Sequence, residues 1–100
     1  MTEVRIVAAP SGDAAAQVLR IEGEVDLDSA EELGQALERC NGNVILDLAG
    51  VSFMDSSGLG TLIRARNRLA AEGGSLSVQA VAPNVRRLFE LTGLTEFLAD

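Results

Sequence analysis

The chain alternates short apolar runs, which have the character of β-strands, with stretches of helical periodicity. The first two runs, residues 4–8 and 18–25, flank the turn cluster at residues 10–13 and predict an antiparallel hairpin at a sheet edge. Helices separate all later strands, so the order is β-β-α-β-α-β-α, and such connections force parallel pairing through right-handed crossovers. The sequence therefore predicts an α/β fold with a mostly parallel sheet of about four strands, an antiparallel edge strand and three or four helices.

The remaining elements follow from caps, stops and periodicity. The first helix is predicted to begin at Asp28 or Ser29, because Asp28 with Glu31, or Ser29 with Glu32, has the spacing of a capping box. Residues 44–48 are nearly all apolar, which predicts a central strand covered on both faces. A second helix is expected from residues 55–58 to the stop at 73–74, a fourth strand over 76–80, and a third helix from 83 to the stop at 93.

Composition excludes several classes of catalytic site. The 100 residues contain no His, no Lys, no Trp, no Tyr and one Cys. A Ser-His-Asp triad, a Cys-His pair, a Walker A loop and a Schiff-base site each need His or Lys, and the usual zinc sites need several Cys or His. The sequence implies no cofactor and predicts a protein that is not an enzyme.

The charge balance bears on partners and location. The net charge is −7 and the isoelectric point is about 4.4, and both disfavour nucleic-acid binding. The N-terminus lacks the features of a signal peptide, and no apolar run reaches the ~20 residues of a membrane span. We expect one soluble cytoplasmic domain over residues 1–100, with its negative field concentrated in residues 1–50, which favours a basic partner surface.

Residues 52–60 form the most unusual segment, Ser-Phe-Met-Asp-Ser-Ser-Gly-Leu-Gly, between the predicted central strand and the second helix. Ligands and partners of open α/β sheets gather at the carboxyl ends of strands, and a helix start favours an anion. A phosphate on Ser56 or Ser57 would be accommodated there. The simpler interpretation of Asp-Ser-Ser-Gly is an ordinary N-cap. Phe53 and Met54, just beyond the strand, either form a partly exposed contact patch or fill the core, and core filling is favoured for Phe53.

A second loop, residues 23–28, leaves the carboxyl end of the preceding strand and is expected beside the 55–58 turn. If Asp28 or Ser29 caps the helix, Asp26 is left available. An acidic cluster of Asp26, Asp28 and Asp55 could position a hydroxyl or bind magnesium. The alternative interpretation is solvated loop charge, and the same holds for Arg64, Arg66 and Arg68 on the second helix, although Arg66 could lie against the core. Cys40 is predicted to be a buried, inert thiol.

Together these stretches resemble the STAS domain family, specifically its stand-alone anti-anti-sigma factors. The resemblance rests on residues 19–26, 44–48, 52–60, 73–74 and 82–94, in order and with family spacing. It implies a STAS fold and a protein that, when unphosphorylated, binds an anti-sigma factor with serine kinase activity and so releases a sigma factor. The kinase then phosphorylates the antagonist, which dissociates, and a metal-dependent serine phosphatase reverses the modification.

The resemblance also implies which residues act. The phosphorylated serine is the one directly after the Asp of the motif, which is Ser56 here, with Ser57 as second choice. The residues implied to contact the partner are Asp26, Met54, Asp55, Ser56, Ser57, Gly58 and Leu59. Two other functions stay open: a STAS scaffold that is not phosphorylated, for example a subunit of a membrane transporter, and a partner switch with an output other than sigma control. A small enzyme that uses Asp26, Asp28 and Asp55 is a third, disfavoured by the missing His and Lys.

Overall fold

Four strands and three helices follow one another in the predicted order in the computed structural model, which describes residues 4–9 and 16–98. The strands are β1 (Val4–Ala9), β2 (Ala16–Val25), β3 (Asn43–Met54) and β4 (Ser75–Gln79). The helices are α1 (Leu27–Glu38), α2 (Ser56–Ala71) and α3 (Pro83–Leu91), and a 3₁₀ turn (Thr95–Phe97) follows. The turn predicted at residues 10–13 lies outside the described residues.

The sheet has the order β1-β2-β3-β4 and is mixed, as predicted. β1 pairs with β2 in antiparallel register, while β2 with β3 and β3 with β4 are parallel. This topology follows from the connections: α1 and α2 each carry the chain back to the start of the next strand. The carboxyl ends of β2, β3 and β4 therefore lie at one edge of the sheet.

The buried side chains of β3 alternate along its first half, which corrects the expectation that both faces of this strand are covered. Val44, Leu46 and Leu48 are buried, whereas Ile45 and Asp47 are only partly buried. Asp47 accepts a hydrogen bond from the backbone N–H of Ala49 at 3.0 Å and so satisfies its carboxylate on the less buried face. An apolar run alone could not distinguish one covered face from two, because Ile45 is as apolar as its buried neighbours.

One core joins the sheet to the helices. Ala30, Leu33 and Leu37 of α1 are buried, and so is Cys40, as predicted for its thiol. On α2 the buried apolar residues include Leu59, Leu62 and Leu69. Burial raises the pKa of the Cys40 thiol, an effect that the nearby Arg68 guanidinium partly opposes. The core residues are Leu19, Ile21, Val25, Ala30, Leu33, Leu37, Cys40, Val44, Leu46, Leu48, Val51, Met54, Leu59, Leu62, Ala65, Leu69, Leu76, Val78, Val85, Phe89 and Phe97.

The segment after α3, which the sequence left without an assignment, closes the far edge of the sheet. Phe97 is 1% exposed and packs against Phe89 with ring centroids 6.0 Å apart. The Arg66 guanidinium lies 4.5 Å from the centroid of the Phe97 ring and pairs with Glu96. Leu98 forms a parallel bridge with Val78, so this segment covers part of the free edge of β4.

Candidate functional site

Two loops meet at the carboxyl edge of the sheet. Val25, the last residue of β2, lies in register with Met54, the last residue of β3. The backbone N–H of Asp55 donates to the carbonyl of Val25 at 3.1 Å. Asp26 directly follows Val25, and Asp55 directly follows Met54. The two aspartates therefore start neighbouring loops, as the sequence predicted for these two segments.

Asp55 is the N-cap of α2. Its carboxylate accepts hydrogen bonds from the backbone N–H of Ser57 at 2.9 Å and of Gly58 at 3.4 Å. The side chain satisfies donors that a helix start would otherwise leave free, and its negative charge is favourable at the positive end of the helix dipole. The predicted opening of a helix at this motif is confirmed.

The two serines of the motif differ in their surroundings. Ser56 is the first residue of α2 and is exposed, and its hydroxyl makes no hydrogen bond to any residue that the structure describes. Ser57 is partly buried, and its backbone carbonyl accepts from the Thr61 hydroxyl at 3.0 Å. Ser56 is thus the more accessible hydroxyl.

Asp26 corrects the prediction for the start of α1. The helix begins at Leu27, and Asp26 rather than Asp28 or Ser29 is its N-cap. The Asp26 carboxylate accepts from the backbone N–H groups of Asp28 and Ser29, each at 3.1 Å. The Ser29 hydroxyl accepts from the Asp26 N–H at 2.9 Å, and this bond completes a capping box. The Ser29 hydroxyl proton has two alternative acceptors, the Glu24 carbonyl at 2.8 Å and the Asp26 carboxylate at 3.0 Å.

The aromatic and thioether side chains of the motif are placed the other way round from the prediction. Met54 is 5% exposed and belongs to the core, whereas Phe53 is 45% exposed. Leu59 and Gly58 are buried as well. Of the seven residues implied to contact a partner, Met54, Gly58 and Leu59 therefore cannot present a free surface; they shape the loop from beneath.

Gly58 is required by close packing. A Cβ at this position would lie 2.8 Å from Met54 Cγ and 2.8 Å from Val25 Cγ1, closer than real Cβ atoms approach such groups. The start of α2 thus sits directly on the ends of β2 and β3. This contact fixes the position of Ser56, the first residue of α2, relative to the sheet.

Two apolar side chains close in sequence to the two capping aspartates are exposed. Leu27, the first residue of α1, is 74% exposed, and Phe53 is 45% exposed. Sequence reasoning missed Leu27, because it began the helix at Asp28 or Ser29 and so left Leu27 in the preceding loop. Only the position at the extreme start of the helix, beyond the sheet edge, exposes it. Asn84 of α3 joins this edge by donating from its amide to the Ser52 carbonyl at 2.8 Å.

The acidic residues do not form a metal site. Among residues 4–9 and 16–98, no three His, Cys, Asp or Glu side chains are grouped so that they could hold a metal ion. Asp26 and Asp55 serve as caps of separate helices, and Asp28 is exposed. The magnesium interpretation of this cluster is therefore not supported.

A groove of about 750 Å³ runs between α1 and α2 and ends at the two serines. Its floor is shallow because small residues face each other across it: a Cβ on Gly34 would lie 3.5 Å from Thr61 Cγ2. Its walls carry Glu31 and Glu38 from α1 and Arg64 and Arg68 from α2. Ser56 and Ser57 both line this groove.

Comparisons with known proteins agree with this geometry. The family model described as Mlab, STAS domain matches residues 8–99. An anti-sigma F factor antagonist from Paenibacillus polymyxa is 31% identical over 87 residues, which cover 81% of this chain and 74% of the relative.

Solved structures agree as well. The crystal structure of an anti-sigma factor antagonist from Mycobacterium paratuberculosis matches with a TM-score of 0.82 and 28% identity, covering 96% of this chain and 83% of that one. The anti-sigma factor antagonist SpoIIAA in its unphosphorylated form matches with a TM-score of 0.77 and 26% identity, covering 96% and 87%. None of the helices in the described part of the chain has the length and apolar character needed to cross a bilayer.

Proposed function

The chain belongs to the STAS domain family, and we propose that it is an anti-sigma factor antagonist controlled by phosphorylation of Ser56. In the unphosphorylated form it binds an anti-sigma factor that is also a serine kinase, and the sigma factor is released. The kinase transfers the γ-phosphoryl group of ATP to Ser56 Oγ, ADP leaves and the hydroxyl proton is lost. A metal-dependent serine phosphatase hydrolyses the phosphoserine and restores binding.

One observation carries this proposal: an exposed serine hydroxyl, without a partner among the described residues, stands at the first position of a helix directly after its N-cap. A kinase can reach such a hydroxyl without unfolding the chain. The relatives named above support the same interpretation, since they are called anti-sigma factor antagonists and one was solved in a form described as unphosphorylated. Ser57 is the weaker candidate, because it is partly buried.

The surroundings of Ser56 explain how one phosphate can act as a switch. A phosphate adds about −1.5 to −2 charges at pH 7, and in the free protein the start of α2 accommodates it. Inside a partner interface it would lie beside the carboxylates of Asp26 and Asp55, desolvated and close to like charges. A cost of about 4 kcal/mol in the complex is already a ~1,000-fold loss of affinity.

The exposed part of the site is the proposed docking surface for the kinase. It comprises Asp26, Leu27, Phe53, Ser56 and the accessible side of Ser57. Two apolar side chains next to acidic caps suit a partner surface that is apolar at its centre and basic at its rim. Asp55, Met54, Gly58 and Leu59 support this surface by fixing the loop.

The proposal is tested by incubating the chain with its cognate anti-sigma kinase and ATP and following the mass. We expect the gain of one phosphate, its loss in Ser56→Ala and its retention in the matched control Ser57→Ala. Phosphorylation that survives in Ser56→Ala and disappears in Ser57→Ala would move the site by one residue. Calorimetry should also give weaker kinase binding for Ser56→Asp, with a smaller effect than phosphorylation, because Asp adds only one charge.

The alternative is that this domain is a scaffold subunit of a membrane transporter. A scaffold needs no acceptor hydroxyl, so it does not account for the Asp-Ser-Ser-Gly arrangement. A chain that no kinase modifies and that co-purifies with membrane proteins would favour this alternative. We place the antagonist in the cytoplasm, because that is where sigma factors act. We also propose that residues 1–100 form one domain.

A further inference from the structure

The three arginines of α2 have different surroundings. Arg66 pairs with Glu96 and lies over Phe97, and Arg68 pairs with Glu72 and donates to two backbone carbonyls. Arg64 forms no ion pair with any residue in the described part of the chain. Among the described residues, it is therefore the one arginine of α2 that has no carboxylate partner.

Arg64 is nevertheless held in one place. Its Nη2 donates to the Thr61 hydroxyl at 3.2 Å, and Thr61 Oγ1 in turn donates to the Ser57 carbonyl at 3.0 Å. Its Nη1 lies 3.4 Å from the position that a Cβ on Gly60 would occupy, so the guanidinium folds back one helical turn over a residue without a side chain. Helical side chains point toward the N-terminus in this way.

This direction carries the charge toward the acceptor serines. Ser57, Gly60, Thr61 and Arg64 are spaced by three or four residues and share one face of α2. Ser56 and Ser57 both line the groove that Arg64 lines, one further turn, about 5.4 Å along the axis, from the guanidinium. A phosphate on Ser56 would enlarge a side chain that already lines this groove.

We infer that Arg64 binds the phosphate of phosphorylated Ser56 in the free protein and thereby stabilises the dissociated state of the switch. This inference rests on the proposed function, since it assigns a residue to the regulation of the same site. A guanidinium is well suited to this role because it donates two parallel hydrogen bonds to phosphate oxygens and remains charged at every relevant pH. Arg64 is a positioning residue here; it takes no part in the phosphoryl transfer.

Other charged groups near the same groove contribute to the electrostatic potential at the phosphate. Glu31 and Glu38 of α1 are acidic and oppose it, Asp55 lies at the helix start, and Arg68 is engaged with Glu72. Nearby carboxylates raise the pKa of the phosphate, and a nearby cation lowers it. Variants that keep all of these carboxylates and differ only at Arg64 therefore report the effect of Arg64 alone.

The test uses the full chain with phosphoserine incorporated at position 56 during translation, so that no kinase is needed. The second pKa of the phosphate is followed by phosphorus NMR as a function of pH. We expect Arg64→Gln to raise this pKa by about half a pH unit, because the phosphate dianion loses its cation. The matched control Arg87→Gln removes the same charge from an exposed position on α3 and should leave the pKa unchanged.

A second readout separates a specific contact from net charge. A direct contact should keep most of the pKa difference between the parent and Arg64→Gln at high salt, whereas a long-range effect of net charge would be screened away. Arg64→Lys should give an intermediate pKa. Equal pKa values in the parent and in Arg64→Gln would overturn the inference and leave the proposed function untouched. If instead the anti-sigma kinase fails to modify Ser56 in the unmodified chain, the proposed function fails while the pKa difference stands.

Discussion

Two aspartates at equivalent positions start the two helices that flank the candidate site. Asp26 follows β2 and caps α1, and Asp55 follows β3 and caps α2. Each carboxylate accepts two backbone N–H groups of its own helix. The same residues give the site its negative charge and fix its geometry, so their two roles must be separated by choice of substitution.

For Asp26 we expect substitution by Ala to lower the free energy of unfolding by about 1 kcal/mol, because the N-cap and the capping box with Ser29 are lost. Asp26→Asn keeps an acceptor oxygen and should retain most of that stability. Urea unfolding of the two variants beside the parent measures the difference. Equal stability of Asp26→Ala and the parent would contradict the assigned cap.

The folded Asp26→Asn chain then isolates the charge of this residue. We expect it to be phosphorylated more slowly at Ser56 with little change in affinity for the kinase, because the bond from Asp55 N–H to the Val25 carbonyl holds the two loops side by side. A lower affinity that depends less on salt would identify a partner contact instead. No change in either quantity would leave Asp26 with its structural role alone.

Two helical glycines, Gly58 of α2 and Gly34 of α1, differ in the space around them. Gly58→Ala should destabilise the chain by about 1–3 kcal/mol, because its Cβ would collide with Met54 and Val25 and outweigh the gain in helix propensity. Gly34→Ala makes the same change in α1, where the nearest atom, on Thr61, is 3.5 Å away, and should be neutral or stabilising by up to about 1 kcal/mol. Thermal unfolding of both variants compares them directly, and a stabilised Gly58→Ala would refute the close approach.

At the scale of elements, α1 is held at its end by a side chain of α2. Arg68 Nη2 donates to the carbonyl of Leu37 at 2.8 Å and to that of Cys40 at 2.9 Å, while Nη1 pairs with Glu72. These carbonyls lie in the last turn of α1 and just after its end, where a helix runs out of backbone donors, although the Leu37 carbonyl also accepts from the Cys40 N–H at 3.0 Å. Arg68 therefore ties the two helices that form the walls of the groove.

Removing this tie should cost more than removing an ordinary surface charge. We expect Arg68→Gln to lower the free energy of unfolding by about 1–3 kcal/mol, since two charge-assisted bonds are lost. The Leu37 carbonyl keeps the Cys40 N–H as a donor, so the larger part of the loss is expected at the Cys40 carbonyl. Arg87→Gln, on the exposed side of α3, should change it by no more than about 0.5 kcal/mol. Chemical denaturation of the pair is the measurement, and equal effects would show that Arg68 contributes only its charge.

At the scale of the whole molecule, the fold is closed at its far edge by the segment after α3. Phe97 inserts between Phe89 and Arg66, and Leu98 bridges to β4. This segment lies away from the acceptor serine, at the opposite side of the core from the β2–α1 loop in sheet order. Its contribution is therefore expected in stability rather than in phosphorylation.

Truncating Phe97 tests that assignment. Phe97→Ala should cost about 3–5 kcal/mol, as for other fully buried aromatic side chains, and should leave phosphorylation of the remaining folded chain unchanged. Leu91→Ala is the control, because this side chain is apolar but 71% exposed and should change stability little. Calorimetric melting of both variants checks the contrast, and a small effect at Phe97 would mean that the segment is only loosely attached.

The order of strands and helices, the mixed sheet and the helix start at Asp55 could all be predicted from the sequence. These features follow from periodicity, turn residues and connection lengths, which act over a few residues and leave a local signal. The same holds for the burial of Cys40, which follows from the helical spacing of the apolar residues before it.

Tertiary structure decided the features that depend on where one strand ends relative to another. Asp26, Asp28 and Ser29 all have the chemistry of a cap, and only the length of β2 selects Asp26. Two register shifts between β2 and β3 interrupt the alternation, so the buried positions after Leu48 are Val51 and Met54, and Phe53 is exposed. Arg64 gained its direction in the same way, from Thr61 and the bare surface of Gly60. Pairing register and side-chain packing join residues far apart in the chain, and a local pattern in the sequence carries no record of them.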